Sequence, residues 1–173
     1  MDHSSMSRRR FLQTTGAAAI WLPGSVRGYS ASEVQAFYVD GEMQQDVSKW
    51  ELDTPSLCVD LDALEANIAK MQDTTSRNGI ASRPHAKTHK TPVIAHMQLN
   101  SGSVGICVAK VSEAEAMFQN GVDKLLLTTT NVTATKIRRA MNLRERCEGF
   151  VQATDSAENA ALLSEEAVSL NIM

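Results

Sequence analysis

Cysteine is scarce in this chain: three among 173 residues, Cys58, Cys107 and Cys147, odd in number and far apart. No Cys-x-x-Cys or other metal-ligand spacing occurs, so no cysteine-based metal motif is present. Cys58 and Cys107 sit in the apolar runs SLCVDL and VGICVAK, where a buried free thiol is expected. None of the three is assigned a catalytic role. A basic excess is also lacking. The formal net charge is −3, which argues against general polyanion binding. No Gly-x-Gly-x-x-Gly follows any strand-like run and no Walker P-loop appears, so the dinucleotide and P-loop readings have no fingerprint. Hydrophobic residues at 43% and charged residues at 21% give an ordinary globular composition, and the length suits one domain.

Against those absences, two stretches stand out. The first is Ser7-Arg8-Arg9-Arg10-Phe11-Leu12-Gln13, which resembles the twin-arginine export signal. The run GAAAIWLPG at residues 16–24 follows it. That run is far short of the roughly 20 apolar residues a spanning helix needs. Residues 1–31 are therefore expected to be an address, carrying a folded protein through the twin-arginine machinery to a periplasmic or secreted location. Residues 32–52 show no sustained period and read as a lead-in.

From Thr54 onward the punctuation is regular. Ser56 to Val59 reads as a short strand. Leu61, Leu64, Ile68 and Met71 recur at helical spacing until Asn78-Gly79. Ile80 to Ala86 reads as extended, and Thr91-Pro92 opens a helix ending near Gly102. Val104–Val108, Lys124–Thr128 and Gly149–Ala153 read as strands. Between them fall helices opened by Ser112 with Glu115, by Thr133, and by Asp155 with Glu158, the first and last as capping boxes. Residues 170–173 look like the start of a further strand. Strands alternating with helices of this length imply βαβ units and a parallel sheet, either doubly wound or an (α/β)8 barrel. Residues 51–173 supply about half of the roughly 250 residues of a complete barrel, so a partial barrel is expected.

The second stretch, SRPHAKTHKTP at residues 82–92, gathers two histidines and two lysines between prolines. If residues 81–89 are extended, the period of two puts Arg83, His85, Lys87 and His89 on one face. At the carboxyl end of a parallel strand that face points into the mouth where such folds keep their chemistry. Cationic neighbours and partial desolvation would then lower the pKa of Lys87 and free an amine to attack a carbonyl. The rivals are a zinc pair at His85 and His89, a phosphate or nucleic-acid patch, and a solvated basic loop. Pro84 and Pro92 argue against the helix a zinc pair needs, and no aromatics interleave for nucleic acid. On the residues alone the choice stays open.

Three segments together resemble the alanine-racemase-like, fold-type III pyridoxal-phosphate enzymes, closest to the branch of D-threonine aldolase and D-serine dehydratase. Asp53-Thr54-Pro55 leading to Val59-Asp60-Leu61-Asp62-Ala63-Leu64 and Asn67 is similar to that branch's opening. Arg83-Pro84-His85-Ala86-Lys87-Thr88-His89-Lys90 is similar to its RPHxKTHK signature, and Gly105 to Ala114 to the following GIxxAKxSEA segment. The resemblance covers about residues 53–173. It implies that Lys87 holds pyridoxal 5'-phosphate as a Schiff base, with His85 and Arg83 as cofactor neighbours. Lys90 and Lys110 are better read as solvated or rim lysines. It further implies a lyase acting on D-amino acids and homodimerisation. A divalent metal would be held by a later domain, for which no ligand here can be named. Family members run about twice this length, so the chain is expected to be an inactive fragment, poorly folded alone. The alternatives are a non-catalytic pyridoxal-phosphate-binding barrel and a solute-binding protein.

Overall fold

The computed structural model describes residues 28–39 and 42–172, and the chain divides into two units at Asp60. The export pattern at residues 7–13 lies outside the described residues.

The first unit is built from short local elements. Ser30 and Glu33 form a capping box for α1 (Ala31–Gln35), and β1 (Tyr38–Val39) pairs antiparallel with β2 (Glu42–Met43). Tyr29 bridges Leu52 in parallel, and a single 3-10 turn covers Lys49–Glu51. The strand expected at Ser56–Val59 does not form. Without a neighbour to pair with, Leu57 and Val59 stay exposed, and so does Cys58, where a buried thiol was expected.

The second unit carries the α/β alternation. Its helices are α2 (Leu61–Arg77), α3 (Pro92–Asn100), α4 (Val111–Gln119), α5 (Ala134–Arg146) and α6 (Ala157–Ser169). Between them run β3 (Ile106–Val108), β4 (Leu125–Leu127) and β5 (Val151–Gln152), a parallel sheet in the order β3-β4-β5. Residues 82–86 add a fourth parallel segment through a bridge of His85 to Cys107, with Cys107 N–H donating to Pro84 O and Ala86 N–H donating to Cys107 O, each at 2.8 Å. Pro84 has no N–H of its own, so the pairing stays a bridge and does not lengthen into a ladder.

Alternation along the strands sorts the two faces. Ile106, Val108, Leu125 and Leu127 are fully buried under the helices, against Val111, Ala114 and Met117 of α4 and Ala140, Met141 and Leu143 of α5. On the other face the register lines up His85, Cys107, Leu126 and Val151 in one row. Val151 is 51% exposed there, so this face is open. Burying each large aliphatic side chain on the helix side contributes about 1.5–3 kcal/mol.

Helix ends follow local chemistry. Thr91 precedes Pro92 at the start of α3 as the sequence suggested. At the end of α4, Gly121 takes a positive φ of 82°, and its N–H bonds Phe118 O while Val122 N–H bonds Met117 O. That is a Schellman closure, which glycine enters without strain. Two caps differ from the sequence reading. α4 begins after Lys110, so Ser112 and Glu115 do not form a box; Glu113, at the third helical position, reaches back to the Ala109 N–H instead. α6 is capped by Ser156, whose hydroxyl accepts from Asn159 N–H, and not by Asp155. No strand forms at residues 170–172. Leu170 and Asn171 close the last turn of α6, their N–H groups bonding Glu166, Ala167 and Val168 carbonyls.

Leu125 is 0% exposed at the centre of this core. Leu125→Ala is expected to destabilise the complete gene product by about 2–5 kcal/mol. Urea unfolding monitored by far-UV circular dichroism measures it.

Candidate active site at the carboxyl end of the sheet

The extended segment reaches only as far as His85. Ala86 N–H makes the last bond to β3, and the chain then turns over residues 86–89, with His89 N–H and Lys90 N–H both bonding Ala86 O at 3.2 and 2.7 Å. Lys90 closes the turn at φ 51°, a left-handed conformation unusual for a lysine. The alternation expected through residue 89 therefore ends at 85. Lys87 sits in the turn at the carboxyl end of the segment and is exposed, where partial desolvation was expected.

His85 hydrogen-bonds the backbone of Lys87. Its Nδ1 accepts the Lys87 backbone N–H at 3.2 Å, and its Nε2 lies 3.1 Å from Thr128 Oγ1. The Thr128 hydroxyl donates to Val108 O at 3.1 Å, which leaves its oxygen as acceptor toward the ring. A neutral ring with its proton on Nε2 satisfies both contacts. Burial lowers the His85 pKa, the Lys87 charge lowers it further, and Glu113 works in the opposite sense. A protonated ring would also turn an N–H toward the Lys87 N–H. The site thus keeps its imidazole neutral.

Glu113 ties the turn to α4. One carboxylate oxygen accepts the Ala109 N–H at 2.9 Å and the other lies 3.5 Å from Lys90 Nζ. Burial raises its pKa, but the Ala109 N–H and Lys90 together outweigh that and hold it below the usual carboxylate value. Lys90 is thus an ion-pair partner and not a freely solvated lysine. Lys110 is exposed at the start of α4.

Arg83 shares the face of His85 but lies at the other end of it. Its guanidinium crosses Gly105, at a spot where a Cβ would overlap it, and reaches the Lys124 carbonyl at 3.4 Å. Gly105 and Lys124 precede β3 and β4, so Arg83 belongs to the amino end of the sheet, away from Lys87. His89 turns inward: Nδ1 accepts the Thr91 N–H at 3.0 Å, Nε2 is buried, and burial lowers its pKa. It does not face Lys87 as the period-two reading had it. Cys107 and Cys147 are buried, and burial pushes both thiols up, away from reactivity.

The chemistry of these donors suits an aldehyde cofactor. A primary amine stands in a strand-end turn above an open face, beside a neutral imidazole. Sequence reasoning located Lys87 and His85 but missed Thr128 and Glu113. Thr128 stood in the predicted strand Lys124–Thr128, and its place at the carboxyl end of that strand was the available signal. Among the described residues, no group of three His, Cys, Asp or Glu side chains is placed to hold a metal ion.

Residues 59–172 match the family model described as alanine racemase, N-terminal domain. The chain is 40% identical over 115 residues to the 3-hydroxy-D-aspartate aldolase of Paracoccus denitrificans, covering 66% of this chain and 30% of that protein. It is similar to the crystal structure of D-threonine aldolase from Filomicrobium marinum, with a TM-score of 0.68 and 37% identity over 71% of this chain and 33% of that one. It also resembles D-threo-3-hydroxyaspartate dehydratase from Delftia sp. HT23, with a TM-score of 0.64 and 32% identity over 70% and 32%. The chain thus spans about a third of the length of these relatives.

Both site-region histidines have pKa values below the ordinary histidine value of about 6.5. Each is neutral in the fold, so its stabilising effect is present above that value and is lost as pH falls through the lowered folded-state pKa. Stability is expected to fall as pH drops below about 6.5, and less steeply in His89→Gln. Chemical denaturation at stepped pH checks this; equal slopes in parent and variant would remove His89 from the account.

Proposed function

The chain belongs to the alanine racemase N-terminal-domain family, fold-type III pyridoxal-phosphate enzymes, and on that premise we propose that it carries the cofactor lysine of a lyase acting on β-hydroxy D-amino acids. The observation that carries this reading is Lys87 in the turn beyond the first parallel segment, with His85 beside it. Its likeness to D-threonine aldolase and to 3-hydroxyaspartate aldolase and dehydratase supports the substrate class.

Lys87 would hold pyridoxal phosphate through Nζ. Bound there, the cofactor supplies an electron sink for negative charge arising at the substrate α-carbon. This chain's own residues do the positioning. The Ala86–Cys107 hydrogen bond fixes the base of the turn, and the Lys90–Glu113 pair fixes its far side. His85 keeps its proton on Nε2 and adds no second positive charge next to Lys87. Arg83 stands at the opposite end of the face, at the Lys124 carbonyl, and in this reading it supports the sheet. The assisting divalent metal belongs, in this reading, to residues outside those described.

The described residues leave one face of the sheet open and Lys87 exposed, and we take the 173-residue chain on its own to be inactive. Homodimerisation of the complete protein belongs to the same reading.

The complete gene product, incubated with D-threonine and D-3-hydroxyaspartate, is expected to release either glycine and an aldehyde, or a keto acid and ammonia. Lys87→Ala should reduce turnover to background, and the 173-residue chain should show none. Turnover retained by Lys87→Ala, or shown by the 173-residue chain alone, would contradict the corresponding part of the reading. Export rests on the pattern Ser7 to Gln13. Replacing Arg8 and Arg9 together by lysine is expected to hold the protein in the cytoplasm. Fractionation of cells reads this directly, and unchanged export would remove the twin-arginine assignment.

A further inference from the structure

We propose that Thr128, the residue following β4, is the positioning residue for the Lys87 turn, acting through His85. The inference rests on the reading of Lys87 given above and deepens it by naming what holds the lysine in register. Three contacts carry it. The Thr128 hydroxyl hydrogen is committed to Val108 O, so its oxygen faces His85 only as an acceptor. His85 Nδ1 is committed as the acceptor of the Lys87 N–H, so the proton of a neutral ring must sit on Nε2. The two commitments meet in one ring. One hydroxyl just past β4, 43 residues away in sequence, thus favours the same tautomer that the backbone of Lys87 requires.

Removing that hydroxyl takes away one of the two contacts that select the tautomer and leaves the ring held by the Lys87 N–H. The tautomer with its proton on Nδ1 would set two N–H groups against each other at Lys87, and the turn would lose that hydrogen bond. The turn has its other internal bonds only at Ala86 O, from His89 and Lys90, both beyond Lys87. The link through His85 is what addresses the lysine's own amide. Thr128 acts through His85 in this arrangement, as a positioning residue and not a catalytic one.

The test compares parent, Thr128→Val and Thr128→Ser in the complete gene product. Thr128→Val keeps the shape without the hydroxyl, and Thr128→Ser keeps the hydroxyl without the methyl. Ring 15N shifts of labelled histidine, assigned by loss of the signal in His85→Gln, report the tautomer. Titration of the cofactor-free protein with pyridoxal phosphate, followed by visible absorbance, reports how well Lys87 is presented. The parent and Thr128→Ser should show His85 as the Nε2-protonated tautomer. Thr128→Val should show mixed tautomers and hold pyridoxal phosphate about two- to tenfold more weakly, the scale of one lost hydrogen bond. An unchanged tautomer in Thr128→Val, or a Thr128→Ser as impaired as Thr128→Val, would overturn the proposal. A parent that takes up no pyridoxal phosphate would instead overturn the functional reading, and the tautomer comparison would still decide the role of Thr128.

Discussion

Two backbone hydrogen bonds, Cys107 N–H to Pro84 O and Ala86 N–H to Cys107 O, set where everything else in the site stands. They lay residues 82–86 against β3 in parallel, so the chain leaves the sheet at its carboxyl end, where Lys87 follows at once. A shift of this pairing by one residue would send His85 to the helix-covered face and Arg83 with it, since side chains alternate along an extended chain. The pairing is short because Pro84 offers no donor, and it is reinforced from the side chains. His85 reaches Thr128 beyond β4, and Lys90 reaches Glu113 in the first turn of α4. Three consecutive β/α steps thereby converge on one turn.

The same arrangement separates the two basic groups that the sequence places close together. Arg83 and Lys87 are four residues apart, yet one reaches the Lys124 carbonyl at the amino end of the sheet while the other rises from the carboxyl end. The division is a consequence of a parallel sheet, in which all strands present the same end to the same side. Catalytic groups in such folds gather at one end and structural ones at the other. Gly105 fits this division, because a side chain there would collide with the guanidinium.

Much of this was legible in the sequence because it depends on local pattern. The helical spacing of Leu61, Leu64 and Ile68, the Thr91-Pro92 start and the Asn120-Gly121 stop are each decided by neighbours within a turn or two. Lys87 was legible for the same reason, as part of a compact signature. The misreadings have a common physical form. Ser56 to Val59 has strand-like residues but no partner strand, and pairing, not propensity, makes a strand. Ser112 with Glu115 has the spacing of a capping box, but α4 starts two residues earlier than that box requires. The roles of Thr128 and Glu113 depend on contacts with residues far away in sequence, and no local periodicity carries that information.

If the parallel pairing presents the Lys87 amine as described, that amine and no other should condense with the cofactor's aldehyde. Reduction of the complete gene product with borohydride in the presence of pyridoxal phosphate, followed by peptide mapping, measures this directly. The account predicts a single stable adduct on the peptide containing Lys87, absent from Lys87→Ala. An adduct on Lys90, on Lys110 or on no lysine at all would contradict it.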